Sequence, residues 1–300
     1  MHSLRIIPAQ QLNPVKWNHC VQADPCGLIY SRFEYLQHIC DHWAGMVLDD
    51  YAGVMALPFR IKWGIRYVYH PAFLQQTGLI GSIPAEGLSR VIPAIYRQFS
   101  YGDIPFHFGN LPDGHIPVKE RTNLILKLDA AYSDLASHYR QDLKQSLRIA
   151  AAADTTYRAI PVEDGADFYR YCFRHRPFIS EKEHIRFRQL CQFLFTQDAC
   201  FARGIFKGNT LLASALLLKD DKRIYLIANA VLPEERKTRA NHGLIDALIR
   251  EKAGSGLLLD FEGSDIPGVK NFYLSFAAEE QPYYYWHFNR LPWPLRLWKR

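Results

Sequence analysis

The sequence predicts an α+β protein of two successive modules, each a mixed, mostly antiparallel sheet flanked by helices. Three observations carry this. Short β-rich runs such as Ala44–Leu48 and Gly53–Phe59 are separated by tight polar turns (Asp49-Asp-Tyr), which is the grammar of hairpins. Longer segments with one apolar face alternate with those runs. The order of helices, antiparallel strands, helix and strand occurs once in each half of the 300 residues, a length that exceeds what one hydrophobic core usually organises.

Taken in order, Leu4-Arg-Ile-Ile reads as a strand, and Asn13-Pro opens a helix with Asn as cap and Pro in the first turn. Ser31 is expected to cap a helix over Arg32–Cys40. Strands at Ala44–Leu48, Gly53–Phe59 and Ile65–Tyr69 follow, then a helix over Ala85–Phe99 and strands at Ile104–Phe108 and Thr122–Leu128. A stretch from Ser133 to Ala153 without internal Gly or Pro predicts one long bridging helix. The second half places helices at Asp167–Phe173 and Glu183–Phe195 and strands at Cys200–Phe206, Leu211–Leu218 and Ile224–Ala230. A helix at Asn241–Lys252, a strand at Leu257–Phe261, a helix near Val269–Phe276 and an aromatic strand at Tyr283–Phe288 complete the pattern. The expected division is 1–129, 130–288 and a basic aromatic tail, 289–300.

Composition bounds the function. With 48 % hydrophobic and 22 % charged residues the chain is expected to be globular rather than disordered or fibrous. No long apolar stretch and no leader-like start are visible, so a soluble cytoplasmic protein is expected. The six cysteines lack C-x-x-C spacing and read as reduced thiols. The net charge of +6 divides as +2 in the first 150 residues and +4 in the rest, and the last twelve residues carry four cations. That tail mixes Trp293 and Trp298 with Arg290, Arg296, Lys299 and Arg300, a composition suited to peripheral contact with a membrane surface or an anionic polymer, or to a strap packed on the domain.

Several constellations are weak. His38 and His42 lack a third ligand at metal spacing, so no metal is expected. Gly204–Thr210 lacks the Gly-Lys-Thr order of a phosphate loop, and no Gly-x-Ser-x-Gly elbow occurs. The strongest motif is Asp260-Phe-Glu-Gly-Ser264 closing a strand, followed by Gly268-Val-Lys-Asn-Phe-Tyr-Leu-Ser-Phe276.

With the preceding strand Arg223–Leu232 and helix Asn241–Arg250, this motif resembles the FemAB-like branch of the GNAT superfamily of N-acyltransferases, whose members place two such domains in tandem. The resemblance implies transfer of an acyl or aminoacyl group from an activated donor, acyl-CoA or aminoacyl-tRNA, to a small-molecule or peptide amine, with no tightly bound cofactor. It implies a slot where strands 224–230 and 257–261 splay, exposing main-chain groups that a thread-like donor pairs with. Asn229 stands at that splay, and Arg236, Arg239 and the helix start at Asn241 suit an anionic donor. Two positions depart from the patterns. Arg239 occupies the first glycine position of the coenzyme A turn, and Tyr273 stands where FemAB proteins carry lysine, although a tyrosine in this region is what acetyltransferases use to protonate the leaving thiolate.

For the chemistry, Asp260 and Glu262 lie two apart on a predicted strand, so their carboxyls share one face and either can relay the amine proton, while Tyr273 serves as acid. The competing role for Glu262 is an ion pair with Lys270, and for Asp260 a turn contact. In the first half, Tyr69, Gln75 and Gln76 lie in an aromatic-polar run ending at Gly78 and are expected to hold the acceptor. The alternative for the whole chain is a non-catalytic module docking on a membrane surface, a cell-wall precursor or RNA.

Overall fold

The computed structural model describes residues 3–82, 87–111, 114, 116–175, 179–233 and 235–298. The chain first lays down β1 (Leu4–Pro8), α1 (Pro14–Ala23), α2 (Phe33–Ile39), β2 (His42–Leu48), β3 (Gly53–Lys62), β4 (Ile65–Val68), β5 (Leu79–Gly81), α3 (Gly87–Gln98), β6 (Tyr101–Phe106) and β7 (Val118–Arg121). Then come β8 (Leu124–Lys127), α4 (Tyr132–Ser137), α5 (Gln141–Ala151), β9 (Thr156–Ile160), α6 (Val162–Phe173), α7 (Glu181–Thr196), β10 (Cys200–Lys207), β11 (Thr210–Lys219) and β12 (Arg223–Val231). The last elements are α8 (Glu235–Thr238), α9 (Ala240–Lys252), β13 (Leu258–Asp260), α10 (Pro267–Leu274), β14 (Glu279–Glu280), β15 (Tyr283–Asn289) and α11 (Leu295–Trp298).

By packing, residues 1–121 with 282–300 form one unit and 122–281 the other. This differs from the division expected at 129/130 and 288, and the reason is strand pairing. β15 inserts between β6 and β7 in the first sheet, ordered β1-β2-β3-β4-β6-β15-β7 with β5 also on β3. β8 pairs with β13 and β14 in the second sheet. Local periodicity finds a strand but not its partner.

In the first unit, Leu88, Val91, Ile92 and Ile95 recur on one face of α3 and join a core with Phe106, Trp286 and Phe288. Trp286 is 1 % exposed, and its ring stacks on Phe106 at 5.9 Å and lies 4.6 Å from that of Phe288. Asn13 caps α1 as expected, its Oδ1 accepting from the Val15 and Lys16 amides at 3.0 and 3.1 Å. Ser31 does not cap α2. It closes a single 3-10 turn, Ile29–Ser31, and is buried, while its carbonyl accepts from Trp17 Nε1 at 2.7 Å.

The second sheet runs β14-β8-β13-β12-β11-β10-β9 and is antiparallel except where β12 meets β13. Leu244, Ile245, Leu248 and Ile249 of α9 bury one of its faces. On α6, Gly165 approaches so closely that a Cβ there lies 3.2 Å from Ala202 Cβ. The bridging helix expected over 133–153 is two helices. Tyr139 turns into the core, edge-on to Phe276 at 5.5 Å, and the Arg140 amide donates to Ser275 O at 3.0 Å instead of continuing the helix. Burying an aromatic outweighs one turn of helical bonding.

Trp286→Ala is expected to lower stability by about 3–5 kcal/mol, because it empties the centre of a packed core. Equilibrium denaturation checks it. A loss below about 1 kcal/mol contradicts the placement of β15.

Candidate active site

β12 and β13 pair in parallel at three positions only: Arg223 with Leu258, Ile224 with Leu259 and Tyr225 with Asp260. β12 then runs on through Val231, still paired with β11 past a register shift between Leu216 and Leu218, while β13 ends. Residues 226–231 therefore present one main-chain edge that no strand among the described residues completes. Unpaired main-chain groups of this kind need a partner from water or a ligand.

The sequence after Asp260 dictates the divergence. Asp260 Oδ1 accepts from the Glu262 amide at 3.0 Å, and the Phe261 amide donates to Leu124 O at 2.9 Å. Glu262 and Gly263 both adopt left-handed backbone, with φ of 60° and 46°, which swings the chain away from β12. Only glycine serves at 263: a Cβ there falls 2.2 Å from Thr122 O and 2.5 Å from Asn123 Cα. A non-glycine residue held left-handed beside a slot is the kind of local strain that marks functional positions.

Glu262 lies at the mouth of this turn. The residue is partly exposed, yet its Oε1 is buried and has no hydrogen-bond partner. Burial pushes its carboxyl well above the usual carboxylate range. The competing ion pair does not form, because Lys270 Nζ instead contacts Glu280 Oε2 at 2.7 Å. Tyr273, on α10, is 6 % exposed, with its ring stacked on Phe261 at 4.6 Å. Burial raises its pKa and the neighbouring Glu262 and Tyr169 raise it further, so the phenol keeps its proton.

Asn229 and Asn241 meet. Asn229 Nδ2 donates to Asn241 Oδ1 at 2.9 Å and to Ser214 O at 3.3 Å, tying the unpaired part of β12 to the first turn of α9. Among the described residues no side chain caps α9. Arg239 takes the N-cap position in left-handed backbone, φ 54°, with an exposed side chain. Arg236 falls in α8, and its side chain lies outside the described residues.

Asp260 is not placed for proton transfer. It is fully buried, with Oδ2 2.9 Å from Arg223 Nη1 and 3.1 Å from Asn123 Nδ2, and Arg223 also donates to Gln281 Oε1 at 2.9 Å. The expected shared face with Glu262 is lost because the strand ends between them. The acceptor residues expected in the first unit are likewise turned inward. Gln76 is fully buried, donating to Gln75 Oε1 at 2.6 Å and accepting from the Phe108 amide at 3.3 Å. Gln75 is 9 % exposed. The Tyr69 hydroxyl accepts from the Asp41 amide at 2.8 Å, with the Arg60 guanidinium 4.0 Å above its ring. These side chains build the unit rather than line a cleft.

Two neighbours escaped the sequence reading. Tyr169 of α6 acts on Tyr273 electrostatically. His242, in the first turn of α9, lies edge-on to Phe272 at 4.9 Å with a buried, unpartnered Nδ1. Burial lowers its pKa, the Arg239 charge adds to this, and Asp142 opposes it. A polar residue in a helix first turn gives no periodic signal, so only the fold reveals either.

No family profile matches the sequence. No curated protein matches it either. Solved structures do. FemX matches with a TM-score of 0.65 at 12 % identity, covering 98 % of this chain and 99 % of that one. A tandem GNAT protein from the clavulanic acid biosynthesis pathway matches at 0.57 and 13 % identity, covering 97 % and 99 %. L-PGS from Bacillus licheniformis matches at 0.56 and 8 % identity, covering 94 % of each chain. The fold is therefore tandem GNAT-like and FemAB-like, as the strand-end motif implied.

Asp260→Ala is expected to cost about 3–5 kcal/mol, since it strands the buried Arg223 charge. Glu262→Gln is expected to fold normally. Because the native state holds a proton on Glu262 that the unfolded chain releases, wild-type stability falls as pH rises from the ordinary glutamate value toward the raised native one, and Glu262→Gln lacks that part of the decline. Denaturation curves across pH check both. An unchanged slope in the variant contradicts the assignment.

Proposed function

We propose that the protein transfers an acyl or aminoacyl group from an activated donor to an amine, in the seam between β12 and β13. The observation that carries this is the open main-chain edge over 226–231, which begins where the chain turns away from β12 at Glu262, whose Oε1 is buried and unpartnered. The fold shared with FemX and with the tandem GNAT protein supports the reaction class.

The donor's extended arm completes the ladder along β12, which orients its carbonyl carbon. Its anionic part lies toward the uncapped first turn of α9, with Arg239 and Arg236 nearby in the chain. Glu262 carries a proton in the free site; the charge of an incoming ammonium lowers its pKa, the carboxyl proton leaves to solvent, and the resulting carboxylate takes one proton from the ammonium and frees the amine lone pair. The amine nitrogen bonds to the carbonyl carbon and the negative charge develops on the carbonyl oxygen, where an edge N–H of β12 stabilises it. The bond to the leaving atom then breaks, that atom takes the proton of the Tyr273 hydroxyl, and the surplus proton of the new amide nitrogen restores the phenol. Asn229, fixed by Asn241, orients the bound arm. Asp260 serves as a positioning residue that holds the base of the seam.

Acetyl-CoA, free coenzyme A and an aminoacyl-tRNA are the donors to test by thermal shift, since a ligand at a hundred times its Kd stabilises the native state by about 2.7 kcal/mol. One of them is expected to raise the midpoint. With that donor, Tyr273→Phe and Glu262→Gln are each expected to lose about 10²-fold or more in turnover, Tyr273→Phe at unchanged melting temperature and Glu262→Gln melting no lower than the wild type. No shift with any donor, together with salt-sensitive polymer binding, favours a non-catalytic module. Full activity of both variants contradicts the acid and base roles of Tyr273 and Glu262.

A further inference from the structure

We propose that the tip of the β3–β4 hairpin and the C-terminal segment form a face that docks on an anionic lipid bilayer. The inference stands on the first unit alone and is independent of the transfer reaction.

The hairpin turns at Trp63-Gly64, both left-handed, with φ of 52° and 75°. Two-residue hairpin turns of this kind strongly favour Asn, Asp or Gly at both positions. A tryptophan there is disfavoured by its own backbone, and it gains little from packing: Trp63 is 70 % exposed. Ile61 beside it is 53 % exposed, and Trp293 is 79 % exposed.

The C-terminal segment packs back as a strap, yet leaves an apolar groove rather than closing it. Trp63, Tyr67 and Tyr101 line that groove of about 190 Å³ together with Leu291 and Leu295, which flank Trp293 in the chain. Lys62 lines it, its Nζ 4.8 Å from the Trp63 ring centre, and Arg296 is exposed next to Leu295 in the chain.

Exposed indoles ringed by Lys and Arg match the boundary between headgroups and hydrocarbon, where the rings sit at headgroup depth and the cations meet anionic lipid. The aliphatic share of the face, Ile65 with Leu291 and Leu295, favours acyl chains over stacked bases.

The test is co-sedimentation with vesicles of phosphatidylglycerol and phosphatidylcholine, phosphatidylcholine vesicles alone, and tRNA as competitor, with tryptophan fluorescence as second readout. The full chain is expected to bind the anionic vesicles in a salt-sensitive way, with a blue shift, and to bind the neutral ones poorly. Trp63→Asn, which suits the turn, and Trp293→Ser are each expected to lower partitioning about tenfold or more, and Lys62→Gln about fivefold. All three keep the wild-type melting temperature. Absence of binding to anionic vesicles, equal binding by both tryptophan variants, or loss of vesicle binding to tRNA overturns the proposal.

Discussion

The parallel pairing of β12 with β13 stops after three residues, and the site depends on that stop. Two features enforce it. The Arg223–Asp260 ion pair, buried and braced by Asn123 and Gln281, locks the closed end of the seam. The left-handed pair Glu262-Gly263 then throws the chain across Thr122 and Asn123. A buried pair of this kind contributes little net stability over an apolar substitute. Its value is geometric, since it fixes where two parallel strands part.

The same turn sets the electrostatics. Leaving the strand at Glu262 removes that carboxyl from any ladder partner and places it near Tyr273, whose ring is held by Phe261. A carboxyl buried without a partner is costly, and it is relieved by a cation arriving from outside. Position and reactivity thus have one origin.

Much of this was legible in the sequence. Asp-Phe-Glu-Gly-Ser at a strand end carried the resemblance that implied a splay here, whereas the turn at Glu262-Gly263 was not read from it. Asn229 and Asn241 were picked out because one lies near the end of a long strand and the other at the start of a helix. The failures share a cause. Asp260 and Glu262 have equal claims until the strand is known to end between them. The paired glutamines 75 and 76 look like a polar pocket until a fold buries them, and the helix over 133–153 looks continuous until the core claims Tyr139. β15 reads as a strand, but its place between β6 and β7 depends on residues about 180 positions away. Nonlocal packing decides these, and local pattern is silent on it.

The central claim is that 226–231 forms an unfilled ladder edge that a donor completes. Hydrogen–deuterium exchange of that segment, in the free protein and saturated with the donor found to bind, tests it most directly. The account predicts that the gap-facing amides exchange fast in the free protein and become protected with donor, while those of β11 on the far side stay unchanged. Full protection of 226–231 before any donor is added, or no change at saturation, contradicts it.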